Sequence, residues 1–589
     1  MSQRPSRRAK TGPSAHLPHL AWEISAAGLV LFVTEVLVVP AALGPFRPPK
    51  MAVATGGLAA CFGLAAARQL WHGRLKLPRS PLAGALAAYP LLLALSALWS
   101  ASPAHTLSAA AQAVVWVAAI LLLAGLGTAA VRRLARWAIA GASVSAVVLV
   151  LQVVGLPVVS VGDRAGRLAL TGLAGNPADA AAAGLLLLPF LLTSEAGHWP
   201  RRSTLLLDGL LVAAAVLSQT LTALVALGAL GVLWLVRNRS ARAWAAAAGL
   251  GVFLIAVVLA TPTGRRVRRV ADEVRRGNLY TALSARTDGW TAAEEMIRER
   301  PLLGVGGEEF SRQFYPARLK WLQRHGQTGR RGEEATHFLW AHCDPLQVSA
   351  EMGIAGLLWL VVLVGVLWRT RSRGGVFLVS AAAVTVPFAL LHYPAHLAVG
   401  LIPLALIGAE LTADGEELNL AALSPRWRPI AALAVVLLAS AAVSQQVGNL
   451  RAVLWRGRIE RALTFADRLS GRDRDRAFSA VEREIEGRLE RRGVDLELGW
   501  RLLGRARLAA GDAVGAETAF RRALAIWRHE EAEMGLGLAL AAEGHRTEAL
   551  AYLRRVCRVN PALTTLIRDA DLRRAVRQLI RRPAASPTT

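Results

Sequence analysis

The sequence predicts an all-α, polytopic helical membrane protein of about 12–13 transmembrane helices, followed by a soluble α-helical repeat domain. Three observations predict this class. Hydrophobic residues make up 54% of the 589 residues and the mean hydropathy is +0.39, which is too apolar for a water-soluble surface. Apolar runs that could cross roughly 30 Å of hydrocarbon recur through the first three quarters of the chain. From about Gln446 onward the pattern becomes charged and helical.

Charge and cysteine usage narrow the class further. The formal net charge is +27, but most arginines stand in short loops between apolar runs. Arginines in such loops set the orientation of the helices in the membrane and face anionic lipid head groups. We therefore expect these arginines to interact with the lipid bilayer and not with nucleic acid. Cys61, Cys343 and Cys557 stand far apart, in no spacing typical of a zinc site or a disulfide framework.

The predicted elements run in order from a basic tail. Residues 1–20 are expected to form a disordered cytoplasmic tail without a cleavable signal, because the first apolar run is long enough to span. Residues 21–445 are expected to form the transmembrane domain, with arginine-bearing loops on the cytoplasmic side. Single spans are predicted at about 21–40, 51–71, 82–99, 107–130, 135–158, 178–193, 243–261, 346–368, 376–392, 396–412 and 429–445.

The apolar run 204–236 decides the topology. It would be roughly 50 Å long as one helix, too long for an ordinary span, and arginines flank it on both sides. A break near 218–222 would make it a hairpin with both arginine clusters inside. With the hairpin, a large loop at about 262–345 and the C-terminal domain 446–589 both lie outside. We therefore expect a multi-pass protein of a bacterial inner membrane with a periplasmic active face.

The C-terminal domain carries a repeat. Leu508–Asp512 matches Ala541–His545, and small or apolar residues follow each copy at the same offsets. Small residues at a helix crossing and a glycine at the turn are typical of tetratricopeptide-like helical pairs. A generic helical bundle is the alternative. On either interpretation, we expect the domain to recruit a protein partner or the acceptor.

Candidate functional residues cluster where the large loop meets the next span. The run 341–347 places His342 and Asp344 just before Pro345, at the lip of an apolar helix. Ionisable groups at the edge of a bilayer are costly and usually mark a pathway or a reaction site.

The order of motifs around this lip resembles the O-antigen ligase and polymerase superfamily of bacterial membrane glycosyltransferases. The resemblance covers roughly residues 20–445. Its elements are Arg286 with Trp290, the Pro-Leu-Leu-Gly-Val-Gly turn at 301–306, His342 followed by Asp344, the Glu-x-Gly-x-x-Gly-Leu run at 351–357, and Asn176-Pro177 in a Gly-x-x-x-Asn-Pro element.

The resemblance implies transfer of a glycan from a polyprenyl-diphosphate carrier to an acceptor hydroxyl, in a reaction that needs neither a metal nor another cofactor. It implies catalytic roles for His342, Arg286 and Asp344. An arginine fork suits a diphosphate leaving group, a histidine can take a hydroxyl proton, and Asp344 could orient that histidine. The substrate-binding candidates are Arg164, Arg167, Asn176, Thr220 and His337.

One departure affects donor binding. Family members commonly carry Ser-Arg at the tip of the broken span, where this chain has Thr220-Leu221. If that arginine holds the diphosphate elsewhere in the family, Arg286 must act with another cation, for which Arg164 and Arg167 are the candidates.

Several alternatives stay open. His342 could merely cap a helix, Arg286 could be one more solvated charge, and Gly304-Val305-Gly306 is expected to be a turn and no phosphate cradle. His392 and His396 are expected to be structural. The chain could also be a solute transporter, although it shows no convincing inverted repeat, or a non-catalytic scaffold for the repeat domain. Ligase and polymerase share these motifs.

Overall fold

The computed structural model describes residues 21–156, 158–159, 166–193, 201–237, 240, 256, 260–329, 338–413, 416–419, 424–491 and 496–581. Helices dominate these residues, which confirms the predicted all-α fold of a multi-pass membrane protein. The described part of the chain contains only one small sheet, formed by two four-residue strands.

The first half of the chain forms a helical bundle around an apolar core. That core takes alanines and leucines from most of the bundle helices. Because small side chains let helix backbones approach closely, an alanine-rich core of this kind suits packing inside a bilayer. The helices are α1 Ala21–Val36, α2 Arg47–Trp71, α3 Pro81–Ser96, α4 Pro103–Gly125, α5 Thr128–Val153, α6 Pro177–Leu185, α7 Leu188–Leu192, α8 Arg201–Leu217 and α9 Leu221–Arg237.

The large loop and the later bundle helices follow. The loop carries α10 Pro262–Arg275, α11 Leu279–Ala282, α12 Arg286–Glu299 and α13 Phe310–Arg324. The helical run Asp344–Leu391 has non-helical backbone at Gly353 and Gly375. We therefore divide it into α14 Asp344–Thr370 and α15 Gly375–Leu391, and α16 Ala398–Thr412 follows.

Among the described residues, five helices are long and apolar enough to cross a membrane, namely α2, α4, α5, α14 and Arg428–Arg468. The same residues include five shorter apolar segments: Pro81–Ser96, Pro177–Leu192, Leu221–Arg237, Gly375–Leu391 and Ala398–Thr412. Most of the span predicted at 243–261 lies outside the described residues, so the predicted count of spans stays a prediction.

The break predicted near 218–222 is confirmed. Helix α8 ends at Leu217, α9 begins at Leu221, and Gln219 between them has φ 57°. The Ser218 hydroxyl donates to the carbonyl of Ala215 and accepts from the amide of Thr220 at 3.2 Å. A side chain thus satisfies backbone groups that the interrupted helix leaves open.

The glycine turn at 301–306 packs against a second break, in α14. Gly353 has φ 58° there, and a Cβ at this residue would lie 2.4 Å from the carbonyl oxygen of Leu302. The amides of Val305 and Gly306 donate to the carbonyls of Ala350 and Glu351 at 3.0 and 2.9 Å. The turn therefore replaces helical hydrogen bonds, as expected of a structural turn, and holds the start of α14.

Two connecting segments, one of them predicted to be cytoplasmic, pair with each other. Strand β1, Lys76–Arg79, runs antiparallel to β2, Glu416–Asn419, with Lys76 opposite Asn419 and Arg79 opposite Glu416. These strands follow α2 and α16 respectively, so the pairing places the ends of those two helices on one side of the bundle.

The C-terminal domain begins without a break. The boundary predicted at 445/446 falls inside one continuous helix, α17 Arg428–Arg468, which packs against α2. Gly511 and Gly544 both adopt positive φ at matching turns, and the small or apolar residues after each are fully buried. The helices are α18 Gly471–Glu490, α19 Leu496–Ala510, α20 Ala513–Ile526, α21 Glu530–Ala542, α22 Arg546–Val559 and α23 Ala570–Arg581.

Candidate functional site

Arg286 is the first residue of α12, and the backbone before it is strained. Ser284 and Ala285 both adopt left-handed φ, at 53° and 59°, a conformation that is costly for residues other than glycine. The guanidinium Nε donates to the carbonyl of Leu391 at 2.8 Å, and Nη1 donates to the carbonyl of Leu283 at 3.0 Å. Arg286 is therefore fixed against the C-terminal end of α15, about 100 residues further along the chain.

His342 lies near this guanidinium, because its ring contacts that of Tyr393, two residues after Leu391. Its backbone is also left-handed, with φ 59°. Its Nδ1 lies 3.1 Å from the carbonyl oxygen of Trp340. A carbonyl can only accept, so Nδ1 carries the proton and Nε2 keeps its lone pair. Burial and then the charge of Arg286 lower the pKa of His342 to about 3, so the imidazole is neutral at physiological pH.

A hydrogen-bonded group of an arginine and a carboxylate adjoins Arg286 and His342. Arg47, at the start of α2, donates from Nε to Asp179 at 2.8 Å and from Nη2 to the hydroxyl of Tyr393 at 2.9 Å. The Nε2 of His392 donates to the same Asp179 carboxylate at 3.1 Å. The Tyr393 ring meets the His342 ring edge-on at 4.6 Å. Helices α2 and α6 and the α15–α16 linker are thereby joined around the histidine.

Asp344 has a different partner from the one expected. The prediction makes it the residue that orients His342, whereas the structure places its Oδ1 3.7 Å from Nε2 of His396. On its other side, His396 faces Glu308 at 3.4 Å. Burial alone would lower the pKa of His396, but the neighbouring carboxylates outweigh it and raise that pKa to about 9. Asp344 does not orient His342 because the strained turn at His342 directs its Nδ1 to the carbonyl of Trp340.

The remaining predicted residues divide into three groups. Arg167 lies close enough to Arg286 for its charge to lower the pKa of that guanidinium further, after burial. Asn176 caps α6, its Oδ1 accepting from the amide of Ala178 at 2.8 Å. Thr220 is buried at the α8–α9 break, and its hydroxyl has no hydrogen-bond partner among the described residues. Arg164 and His337 lie outside the described residues.

Sequence reasoning missed five residues of this cluster. Arg47, Asp179 and Tyr393 carry no recognisable motif, and His392 and His396 were expected to be structural. The only sequence signal is weak: each stands at a predicted end of an apolar run on the predicted outer face, where ionisable residues are unusual.

The Arg47–Asp179–His392 group makes a stability prediction. The Asp179 side chain is fully buried, so replacing it with alanine removes the acceptor of the buried His392 and of the partly buried Arg47. We expect Asp179→Ala to lower the free energy of unfolding by about 3–5 kcal/mol, measured by chemical denaturation in detergent. The control is Asp272→Ala, which removes a carboxylate that is 54% exposed and 3.6 Å from Arg275. It should cost under about 1 kcal/mol, and equal effects of the two substitutions would contradict the prediction.

One group of three potential metal ligands lies elsewhere in the described residues. Glu517, Glu543 and His545 in the C-terminal helices bring ligand atoms within 4.8 Å of one another. Partly exposed acidic groups commonly approach each other without an ion, so we place no metal there.

Comparison with known proteins gives a family match for part of the chain. Residues 205–361 match the family model described as O-antigen ligase. No curated protein matches the chain. The matched segment contains Arg286, His342 and Asp344 but neither Arg47 nor the linker after α15. The match supports the O-antigen ligase superfamily for this part of the chain, and with it a membrane glycosyltransferase-type role in polysaccharide assembly.

Proposed function

We propose that this protein moves a glycan from a polyprenyl-diphosphate carrier to an acceptor hydroxyl during assembly of a surface polysaccharide. The observation that carries the proposal is that Arg286 and His342, which are far apart along the chain, both contact the chain around Leu391–Tyr393 and share one partly buried polar cluster. The cluster forms at the ends of bundle helices, where a membrane-bound donor and a soluble acceptor can both approach.

Arg286 is suited to hold the diphosphate. Two of the five guanidinium N–H groups bond to carbonyls, which leaves the rest for a ligand. Arg167 adds a second positive charge nearby, and it is our candidate for the arginine that is missing at Leu221. Because α12 and α14 both begin here, their N-termini add partial positive charge. These cations stabilise the leaving group as its negative charge grows, without a metal.

His342 is suited to act as the base. Its free Nε2 lone pair can accept the proton of the acceptor hydroxyl as that oxygen attacks the anomeric carbon. Burial, and after it the positive charge of Arg286, makes the imidazole a weak base in the free protein. A bound diphosphate neutralises that charge, so we expect the donor itself to raise the pKa of His342 and make it a stronger base.

This account predicts an unusual pH profile. His342 stays neutral down to its pKa of about 3 in the free protein, so kcat/KM for the donor should change by less than about twofold between pH 7 and pH 5. An unperturbed histidine would lose roughly thirtyfold over this range. In Arg286→Gln the pKa of His342 should rise only in part, because burial, the larger cause of its lowering, remains. A wild-type acid limb near pH 6.5 would contradict the assignment.

The test of the function is a surface-glycan profile of a deletion strain. Complementation by the wild type should restore surface polysaccharide, whereas His342→Ala at an equal protein level should not. Full rescue by His342→Ala would count against the enzyme and in favour of a scaffold. The intermediate that accumulates distinguishes the two reactions, because single units on the carrier indicate a polymerase and long unattached chains indicate a ligase.

Location is part of the proposal. We place the protein in a bacterial inner membrane, with the large loop and the tetratricopeptide-like domain 446–589 in the periplasm. Direct contacts between the loop and that domain, such as Tyr315 with Glu533, support a shared side. The domain is then well placed to recruit a protein partner or the acceptor to the site.

A further inference from the structure

Helix α13 has two buried faces. Phe310, Phe314 and Ala317 belong to an apolar cluster that also contains Phe338 and Ala341. The latter two stand in the segment 338–343 that carries His342, which we call the site loop. Tyr315 and Leu319 belong to a different cluster, which they share with residues of the C-terminal helices. Each set follows the spacing of one helix face. Helix α13 therefore lies between the proposed site and the C-terminal domain, packed against both.

The first face supports both members of the catalytic pair. The Phe314 ring packs on Phe338 at 5.2 Å, and Phe338 packs on His342 at 5.1 Å. On the same helix, Arg318 donates to the Asp288 carboxylate at 2.6 Å, two residues after Arg286. A shift of α13 would thus displace the turn that carries the histidine and the helix that begins with the arginine.

The second face is set deeply into the C-terminal domain. The Tyr315 hydroxyl donates to the buried carboxylate of Glu533 at 2.7 Å. Leu319 shares its cluster with Leu553 and Val556, which are fully buried. The indole of Trp527 donates to the carbonyl of Arg312 at 2.8 Å. A buried hydrogen bond between a tyrosine and a carboxylate within an apolar core fixes the orientation of α13 against the C-terminal domain.

Further contacts anchor the chain just before the site loop. The Thr328 hydroxyl donates to the carbonyl of Ile580 at 2.7 Å, and the amide of Gly329 donates to the carbonyl of Arg558 at 2.7 Å. A Cβ at Gly329 would lie 1.8 Å from a carbonyl oxygen, so the two backbones are in close contact. The chain therefore contacts the C-terminal domain as far as Gly329, the last described residue before Phe338.

We infer that the C-terminal helical domain positions the catalytic pair through α13, with Tyr315 and Leu319 as positioning residues, so that transfer depends on this contact. The kinetic part of the inference rests on the proposed function. The structural part does not, because Cys343, next to His342 and partly buried, reports the order of the site loop by its accessibility to a thiol reagent.

The test compares three variants of the full chain in detergent. Leu319→Ala opens the shared core, Tyr315→Phe removes only the hydrogen bond to Glu533, and Leu502→Ala is the control. Leu502 is equally buried in the C-terminal domain, but it lies in a cluster without α13 residues. Two quantities are measured for each variant: the alkylation rate of Cys343, resolved by peptide mass spectrometry, and the kcat and KM of transfer.

We expect Leu319→Ala to raise the alkylation rate of Cys343 on the order of tenfold and to lower kcat on the order of ten- to a hundredfold. Tyr315→Phe should change both in the same direction by a smaller factor. Leu502→Ala should leave both within about twofold, although it weakens the same domain.

The outcomes separate the two claims. If Leu319→Ala and Tyr315→Phe leave Cys343 as slow to react as in Leu502→Ala, the inference is overturned, whatever the activity. If the Cys343 rates change as expected but the wild-type protein transfers no glycan, the proposed function fails and the positioning role stands.

Discussion

Replacing His342 with alanine is expected to slow glycan transfer on the order of 10²- to 10⁴-fold, the range typical for loss of a positioned general base. The physical reason is the free Nε2 lone pair, held in place by the hydrogen bond between Nδ1 and the carbonyl of Trp340. The measurement is kcat in proteoliposomes with a synthetic polyprenyl-diphosphate oligosaccharide. The KM for the donor should change little, because we propose that the arginines, and not His342, bind the diphosphate.

Two further variants make this result specific. His342→Gln keeps a side-chain donor for the Trp340 carbonyl but has no basic nitrogen, so it should be as slow as alanine. His325→Ala is the matched control, since His325 also contacts a backbone carbonyl through Nδ1, at 2.8 Å, but is exposed on the large loop. It should keep wild-type activity. A His342→Gln protein with normal kcat would show that the histidine only shapes the loop.

Arg286→Lys is expected to lower kcat/KM for the donor on the order of 10²- to 10³-fold, although the charge is kept. Lysine cannot bond to the carbonyls of Leu391 and Leu283 and still offer a planar fork to a diphosphate. The loss should include a raised KM for the donor, which distinguishes it from the loss at His342. Donor binding can be measured directly by displacement of a fluorescent polyprenyl diphosphate.

The control for Arg286→Lys is Arg276→Lys on the same loop. Arg276 is 74% exposed and lies 3.8 Å from Glu273, so the shape of its head group should have no effect on donor binding. An Arg286→Lys protein that binds the donor as tightly as Arg276→Lys would remove the arginine from the donor site.

Local features were predictable because they depend on short stretches of chain. An apolar run too long to span must break, and the polar residues near 218–222 offered the place. The turn at 301–306 was also readable, since glycine marks a backbone that other residues cannot adopt. The order of the motifs along the chain was enough to select Arg286 and His342 as candidates on the large loop.

The sequence did not predict which side chains pair with each other. Asp344 stands two residues from His342, yet it faces His396, because the left-handed backbone at His342 turns the imidazole towards the Trp340 carbonyl. Asp179 pairs with Arg47 across 132 positions of the chain. A sequence pattern carries no information on such distances unless the packing of the helices is already known.

By itself, the sequence determined that this is a helical membrane protein, where its apolar runs lie, and which loop bears the candidate chemistry. These follow from hydropathy and spacing, which are local properties. Only the tertiary structure decided which ionisable groups share one buried site, and that α13 joins that site to the C-terminal domain. The reason is that the ends of helices distant in sequence meet only after the bundle has packed, and burial together with neighbouring charges then shifts the pKa values of groups such as His342 and His396.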